Sequence, residues 1–293
     1  MSKIAKIDSN GLLNVNDPIY AAIKEEKSWE LLKNVKDVYI EVRKGNIIDA
    51  YYQGGRIVEF RYDARNKRIK KSTHPKYLGY SDYEQREYYT KTIDGKYIPI
   101  YQNCELSESA IDKIKDRINQ HYTKDDLSEK KCQGELIINN RKDYIDSEFA
   151  YRMYEGERKT IRFDLVKIEG HDIIIEELKM IRDSRLNSTK EPEVITQLAN
   201  YKCFITENKD VLLEYFKELY RIKRSLSLLK EPMGDIDIEK LNLLESPRLL
   251  IALDDDYRQL RTGNVPTKMG KKKNRLDNII RNLDCHSVDY KFI

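Results

Sequence analysis

Residues 161–185 constrain the fold of this chain most strongly, because an apolar β-hairpin in this stretch ends in charged residues. Residues 161–166 predict one strand, residues 169–172 a turn and residues 173–179 a second strand. The isoleucine run of the second strand is typical of a strand buried on both faces. Charges at the end of such a strand are costly unless they are paired, bound to metal or open to solvent. This conflict between burial and charge indicates a functional site.

The charged side chains of the hairpin can converge on one point. Side chains alternate along a strand, so Glu177 and Lys179 share a face, and Asp164 on the partner strand can lie beside Glu177. Carboxylate oxygens at this density suit Mg²⁺ or Mn²⁺. A lysine beside the metal can hold or polarise an attacking water. A cross-strand ion-pair cluster without metal is the alternative interpretation of these three residues.

Two flanking segments extend this pattern. Upstream, Glu148 lies in the sequence DSEFAY, which predicts a helix that begins near Ser147. Downstream, Gln197 and Tyr201 are four residues apart on a predicted helix and therefore face the same way. The order Glu, Asp, ExK, QxxxY resembles the PD-(D/E)XK nuclease superfamily, in its RecB-like branch with a QxxxY motif. Phe163 stands where the signature has proline.

The resemblance implies a fold, an activity and a set of site residues. It covers roughly residues 133–293 and implies a restriction-endonuclease-like α/β (α+β) core, in which helices flank a mixed central sheet. It implies a nuclease that uses Mg²⁺ or Mn²⁺, in which Asp164 and Glu177 bind the metal and Glu148 completes the acidic shell. Lys179 would position or activate water. The residues that would orient the metal shell or the scissile phosphate are Gln197 and Tyr201.

Basic residues downstream of the hairpin are candidates for contact with nucleic acid. Arg182 and Arg185 follow Lys179, where a substrate phosphate could pass. A dense basic cluster near the end of the sequence consists of Lys271, Lys272 and Lys273. Such charges attract a phosphate backbone. A solvated, charged surface loop is the alternative for both groups.

The first hundred residues predict a different kind of structure. A helix starts at Asp17-Pro18 and runs to about Leu32. Residues 38–71 alternate between short apolar segments and glycine-containing turns, which predicts an antiparallel meander. We therefore expect an N-terminal helix-plus-meander domain at residues 1–103 and a nuclease-like domain at residues 104–293. The tyrosine-rich residues 74–102 would either contact nucleic acid or pack beneath the meander.

Composition and periodicity supply the remaining expectations. The chain has 293 residues, a formal net charge of +4, four separated cysteines and no apolar run of membrane-spanning length. These features favour a reduced, cytoplasmic protein with no membrane partner. Further predicted elements are helices at 106–120, 194–204, 211–229 and 271–283, and strands at 136–139, 248–253 and 288–293.

Three functions stay open at the level of sequence. The first is a Mg²⁺-dependent nuclease acting on DNA, as an endodeoxyribonuclease in phage defence, restriction or repair, with a homodimer or a defence complex as its assembly. The second is a catalytically silent module of the same fold that binds nucleic acid or protein. The third is a structural or partner-binding protein in which the tyrosine-rich N-terminal half carries the function and the central acids form an ion-pair cluster. Stabilisation by divalent metal distinguishes the first from the third.

Overall fold

The computed structural model describes residues 3–8, 12–79, 89–91, 97–99, 102–103, 106–122, 129–156, 158–187, 192–230, 236–261 and 269–293. The chain forms two compact units. The N-terminal unit comprises Asp8–Lys142 and Lys217–Gly234, and the C-terminal unit comprises Met1–Ile7, Asp143–Phe216 and Asp235–Ile293. This division differs from the boundary expected after residue 103, because residues 104–142 and 217–234 belong to the N-terminal unit.

The N-terminal unit contains the antiparallel meander that the sequence predicts. Its sheet has the strand order β1-β2-β3-β4-β7. Two of its turns use residues with positive φ, Asn46 at 55° and Gly54 at 78°, a conformation that tight hairpin turns require. The strands of this unit are β1 Val38–Arg43, β2 Ile47–Tyr52, β3 Gly55–Asp63, β4 Arg68–Thr73, the separate pair β5 Tyr89–Lys91 and β6 Tyr97–Pro99, and β7 Gln102–Asn103. Most of the tyrosine-rich segment lies outside the described residues, so its two interpretations stay open.

Helices cover the meander closely. A Cβ atom on Gly55 would lie 2.6 Å from the side chain of Ile118, so this contact requires glycine. The predicted helix after Asp17 is confirmed, although it consists of three short pieces. The helices are α1 Ile19–Ala22, a 3₁₀ turn Ile23–Glu25, α2 Lys27–Lys33, α3 Pro75–Leu78, α4 Glu108–Tyr122 and α5 Glu129–Asn139. The strand predicted at 136–139 is wrong, because this short apolar run is the last turn of α5 and its periodicity alone fits either structure.

The C-terminal unit is built on a mixed six-stranded sheet. Its order is β13-β12-β10-β9-β8, with β11 also paired to β10. Strands β8, β9 and β10 are antiparallel neighbours, whereas β10, β12 and β13 run parallel. The bounds are β8 Tyr144–Arg152, β9 Thr160–Glu169, β10 Asp172–Met180, β11 Asn242–Leu243, β12 Arg248–Ala252 and β13 Tyr290–Phe292. The predicted hairpin is therefore confirmed, and β10 is an interior strand whose consecutive residues 173–179 are all buried, as expected for a strand covered on both faces.

Helices flank this sheet and pack against it to form the apolar core of the unit. The helices are α6 Glu193–Glu207, the part of α7 Lys209–Ser225 up to Phe216, α8 Asp255–Arg261 and α9 Gly270–Cys285, with 3₁₀ turns at Ser184–Leu186 and Ile238–Lys240. Leu198 of α6, Ile251 of β12 and Ile279 of α9 belong to one buried apolar cluster. The expected mixed α/β class is thus confirmed for this part of the chain. Among the described residues, no helix has both the length and the apolar character needed to cross a membrane.

One predicted element in this unit is wrong. Glu148 was expected on a helix that begins near Ser147, but it lies in the middle of β8. The sequence Asp146-Ser147 resembles a helix N-cap, yet both residues are buried within the sheet. The Asp146 carboxylate accepts a hydrogen bond from the Ser147 N–H at 2.8 Å, which is a local contact inside a strand. Tertiary burial therefore overrides the capping signal here.

Candidate active site

The candidate site lies at the point where the backbone hydrogen bonds between β9 and β10 end. Their register runs from Asp172↔Glu169 to Glu176↔Leu165. Beyond that point, the Leu178 N–H donates to Asp164 Oδ2 at 2.9 Å. A carboxylate thus takes the place of a main-chain acceptor between the two strands. The arrangement places Asp164 next to the Glu177-Leu178-Lys179 segment.

Three side chains converge on the Glu177 carboxylate. Oε1 accepts hydrogen bonds from the Lys179 ammonium and from Gln197 Nε2, the latter at 2.6 Å. Oε2 accepts a hydrogen bond from the Tyr201 hydroxyl at 2.7 Å. Gln197 also donates to the Tyr201 hydroxyl at 3.1 Å, so these two α6 residues share a face as the sequence predicts. Helix α6 therefore fixes the orientation of the central carboxylate.

Lys179 links the two acids from a fully buried position. Its side chain and that of Glu177 are each only 1% exposed. The ammonium group also donates to the Leu178 carbonyl oxygen at 2.8 Å and lies 4.0 Å from Asp164 Oδ2. One cation thus faces two carboxylates, and an ionised set would carry an excess negative charge in a low-dielectric environment.

The surroundings of Asp164 raise the pKa of its carboxyl group. Burial, and then the nearby Glu177 carboxylate, raises the pKa of Asp164 to about 7. The two carboxyl groups also interact through a side-chain hydrogen bond. Burial raises the pKa of the Tyr201 hydroxyl as well, which makes Tyr201 a hydrogen-bond donor and not a general base. Asp164 keeps 15% of its side chain exposed, so it is the member of this acid pair that solvent reaches.

The donor set of this site fits a small, hard divalent cation. It offers oxygen atoms alone, from the carboxylates of Asp164 and Glu177 and from the Leu178 carbonyl. Mg²⁺ characteristically uses one or two protein carboxylates and keeps several waters, so this set is sufficient. Within the described ranges, no group of three or more His, Cys, Asp or Glu side chains is arranged to hold a metal ion. Asp164 and Glu177 would therefore be the protein carboxylates around the metal.

Glu148 lies near this set but has a different partner. The pairs Ser147↔Leu165 and Phe149↔Phe163 bracket Glu148 on β8 and Asp164 on β9. The Glu148 carboxylate accepts a hydrogen bond from Arg162 Nη1 at 3.2 Å. Its backbone has a φ of 57°, which is unusual for a residue other than glycine and costs on the order of 1–3 kcal/mol. The structure thus brings the predicted acid close to the site while pairing it with an arginine.

The predicted basic residues lie in the segments that follow two neighbouring strands, β10 and β12. Arg182 Nε donates to Asp254 Oδ2 at 2.6 Å, and Lys272 pairs with Asp256. Arg185 is held by Asp183, with a shortest contact of 2.5 Å. Lys271 and Lys273 are exposed in the first turns of α9. All five therefore lie on the segments that follow β10 and β12, with three of them engaged in ion pairs.

Sequence reasoning missed two residues that shape this region. Arg275 of α9 donates to the Asp183 carbonyl oxygen at 2.8 Å and to that of Ile181 at 3.3 Å, which ties the basic helix start to the end of β10. Arg162 lies two residues before Asp164, and its side chain is 56% exposed. The position of Arg162, two residues before Asp164, is the sequence feature that could have identified it. The contact made by Arg275 joins residues more than ninety positions apart, so no local sequence pattern indicates it.

Comparisons with protein-family models, with curated proteins and with solved structures found no match to this chain. The fold and the side-chain geometry therefore carry the functional argument.

Proposed function

We propose that this chain is a divalent-metal-dependent nuclease that hydrolyses the phosphodiester bonds of DNA. The observation that carries the proposal is the convergence of five residues from three separate segments: Asp164, Glu177, Lys179, Gln197 and Tyr201. A chance ion-pair cluster would need only the first three. The glutamine and the tyrosine both bond to the same carboxylate, as expected for a site that must hold one acid rigidly.

The order of elements also supports a restriction-endonuclease-like core. Three antiparallel strands, β8, β9 and β10, are followed by α6 and later by β12, which pairs parallel to β10. The acids lie on the two middle strands of this arrangement. The motif resemblance implies helices that flank a mixed central sheet, and this arrangement is compatible with it; α7 lies between α6 and β12 in the chain.

Some residues of the site would bind the metal, and others would hold a metal ligand in position. Asp164, Glu177 and the Leu178 carbonyl would hold the cation. When bound, Mg²⁺ lowers the pKa of a coordinated water and neutralises charge on the phosphate. Gln197 and Tyr201 keep Glu177 in one orientation through their hydrogen bonds to its two oxygens.

Lys179 supplies a positive charge that does not depend on the metal. Its ammonium group is fixed by Glu177 and by the Leu178 carbonyl, so little reorganisation is needed when negative charge develops nearby. A protonated amine in this position can donate a hydrogen bond to the attacking water or to a phosphate oxygen. Its role is therefore to position the water and to offset charge, and its removal should reduce turnover more than substrate binding.

The basic residues would guide the phosphate backbone. The candidates are the exposed Lys271 and Lys273 of α9, and Arg182 and Arg185 after β10, which would exchange their present partners Asp254 and Asp183 for a phosphate. Contacts of this kind fix the register of a nucleic acid without reading its sequence. We propose DNA as the substrate because the motif resemblance implies it, and the experiment below includes RNA.

Cleavage assays with matched lysine variants test this proposal. Supercoiled, linear and single-stranded DNA and RNA are incubated with Mg²⁺ or Mn²⁺ and with wild type, Lys179→Met or Lys167→Met. Lys167 is the control because it lies on the same hairpin and pairs with Glu169 at 2.8 Å, away from the acid pair. We expect Lys179→Met to lose about 10²-fold or more in rate and Lys167→Met to stay near wild type.

The outcomes separate the candidate functions. Cleavage lost in Lys179→Met alone supports the nuclease. Metal stabilisation without cleavage of any substrate would favour the catalytically silent module of the same fold. Neither cleavage nor metal stabilisation would identify Asp164, Glu177 and Lys179 as a structural ion-pair cluster and refute the proposal.

A further inference from the structure

We propose that Arg162 binds a phosphate group of the substrate and that Glu148 holds the arginine in position beside the acid pair. This inference rests on the proposed nuclease function, whose site it extends by one binding residue. It also gives Glu148 a role different from the metal-shell role that the motif predicts.

The strand geometry places Arg162 on the same side as Asp164. Residues two apart in a strand project to the same face, with their Cα atoms about 7 Å apart. Glu148 lies level with Asp164 on β8 and bonds diagonally to Arg162 Nη1 at 3.2 Å. The three charged residues thus form a triangle on the β8–β9 pair, with Arg162 and Asp164 on β9 and Glu148 on β8.

The main chain of Arg162 is tied to the central carboxylate. The Tyr201 hydroxyl contacts both the Arg162 carbonyl oxygen and Glu177 Oε2. The Arg162 backbone therefore lies against the same buried hydroxyl that contacts Glu177. This anchor fixes the base of a long side chain whose guanidinium end stays in solvent, which reduces the positions that the guanidinium can adopt.

Exposure distinguishes Arg162 from the other cation of the site. Lys179 is only 1% exposed, whereas the Arg162 side chain is 56% exposed. A phosphodiester chain that approaches from solvent therefore meets Arg162 before it meets Lys179. An arginine guanidinium has five N–H donors in a planar fork that matches phosphate geometry. The hydrogen bond to Glu148 uses one of these donors, so the others can donate to a phosphate, or a phosphate can replace Glu148 as the acceptor.

The conformation of Glu148 supports a positioning role. Its positive φ of 57° occurs inside β8, with regular pairs on either side of it. This unusual backbone conformation accompanies the diagonal contact with Arg162. A residue that served only to complete the strand would adopt the extended conformation of its neighbours.

Salt-dependent binding of an oligonucleotide tests Arg162 directly. A fluorescein-labelled DNA, single-stranded or duplex, is titrated in EDTA, so that binding is measured without cleavage. The variants are Arg162→Gln, Arg162→Lys and Arg61→Gln. Arg61 is the matched control, since it is also a strand residue paired with a carboxylate and is also 56% exposed, but lies in the N-terminal unit.

We expect Arg162→Gln to weaken binding about tenfold. The slope of log K against log salt should decrease in magnitude by about 0.7 for the single strand or about 0.9 for the duplex, which is the loss of one phosphate contact. Arg162→Lys should keep the slope but recover only part of the affinity, because a lysine cannot make the bidentate contact. Arg61→Gln should leave both quantities at their wild-type values.

A second measurement separates this inference from the proposed function. With Mg²⁺ present, Arg162→Gln should raise KM for cleavage while its melting temperature shift on adding Mg²⁺ matches wild type. An unchanged salt slope and KM in Arg162→Gln, or no measurable DNA binding by the wild-type chain, would overturn the role of Arg162 even if cleavage occurs. Absence of both cleavage and Mg²⁺ stabilisation would refute the nuclease instead, and the salt slope would still decide whether Arg162 contacts phosphate.

Discussion

Replacing Lys179 with methionine should make the protein less stable without metal and more responsive to Mg²⁺. Methionine keeps much of the apolar stem and removes the ammonium group, which lies 4.0 Å from Asp164 Oδ2 and is bonded to Glu177. At 4.0 Å, with an effective dielectric constant of about 20, the ionised Asp164 carboxylate and the Lys179 ammonium attract each other by about 4 kcal/mol before desolvation is counted, and protonation of Asp164 removes that attraction. Removing one partner of a buried pair generally costs about 3–5 kcal/mol.

That cost predicts a change in melting temperature that is easy to measure. At about 2–4 °C per kcal/mol for units of this size, Lys179→Met should melt on the order of 10 °C below wild type in EDTA. Mg²⁺ should recover more stability in the variant than in wild type, because the cation then replaces the missing positive charge between the acids. Cleavage should nevertheless stay at least about 10²-fold below wild type, since the charge that positions water is gone.

Differential scanning fluorimetry in EDTA and over a series of Mg²⁺ concentrations provides the assay. Lys179→Arg is the control, because it keeps the charge and separates loss of charge from altered packing. The reasoning would be refuted by equal Mg²⁺ shifts in Lys179→Met and wild type, or by no shift in either. In that case the two acids do not form a cation site, and the buried ammonium group is a structural counter-ion.

Three further variants test other parts of the structure. Below pH 7, where the raised pKa of about 7 keeps Asp164 protonated, Asp164→Asn should melt close to wild type in EDTA, because the amide imitates the protonated acid; above pH 7 it should lose the Mg²⁺ shift in the same fluorimetry series, and a retained shift would contradict metal binding by Asp164. Tyr201→Phe should cost about 1–3 kcal/mol in urea unfolding, because the one O–H hydrogen, which lies within reach of both the Arg162 carbonyl oxygen and Glu177 Oε2, is removed from a buried place; unchanged stability would contradict that hydrogen bond. Hydrogen bonding from Lys167 lowers the pKa of Glu169 to about 2, so its contribution to stability is present above the unfolded value near 4.5 and disappears as the pH falls towards 2. Glu169→Gln should flatten the acid side of the stability curve measured by circular dichroism, and an unchanged curve would show that Glu169 does not contribute.

Local sequence signals predicted most of the secondary structure of the C-terminal unit. The apolar run of β10, the turn at Gly170 and the helical spacing of Gln197 and Tyr201 all correspond to elements of the structure. Asp254 caps α8, since its carboxylate accepts a hydrogen bond from the Tyr257 N–H at 3.2 Å. Each of these features depends on neighbours only a few residues away in the chain, which is why a pattern can indicate them.

The two wrong secondary-structure predictions have a common cause, which is that the local sequence fits two structures. Residues 136–139 are apolar and short enough to fit a strand or a helix, and the structure places them in α5. The segment around Ser147 carries a capping signal, but its pairing with β9 makes it a strand. In both cases the competing structures differ little in local free energy, so contacts with distant segments decide between them.

The sequence by itself determined which side chains would be charged at the end of a buried strand, and therefore that they needed partners. It specified Asp164, Glu177 and Lys179 through strand alternation, and Gln197 and Tyr201 through helical spacing. Only the tertiary structure decided that the helix pair bonds to both oxygens of Glu177. It alone paired Glu148 with Arg162 and joined Arg275 to the end of β10. Alternation and helical periodicity are properties of the local backbone, whereas these contacts depend on how separate elements pack, which no local pattern encodes.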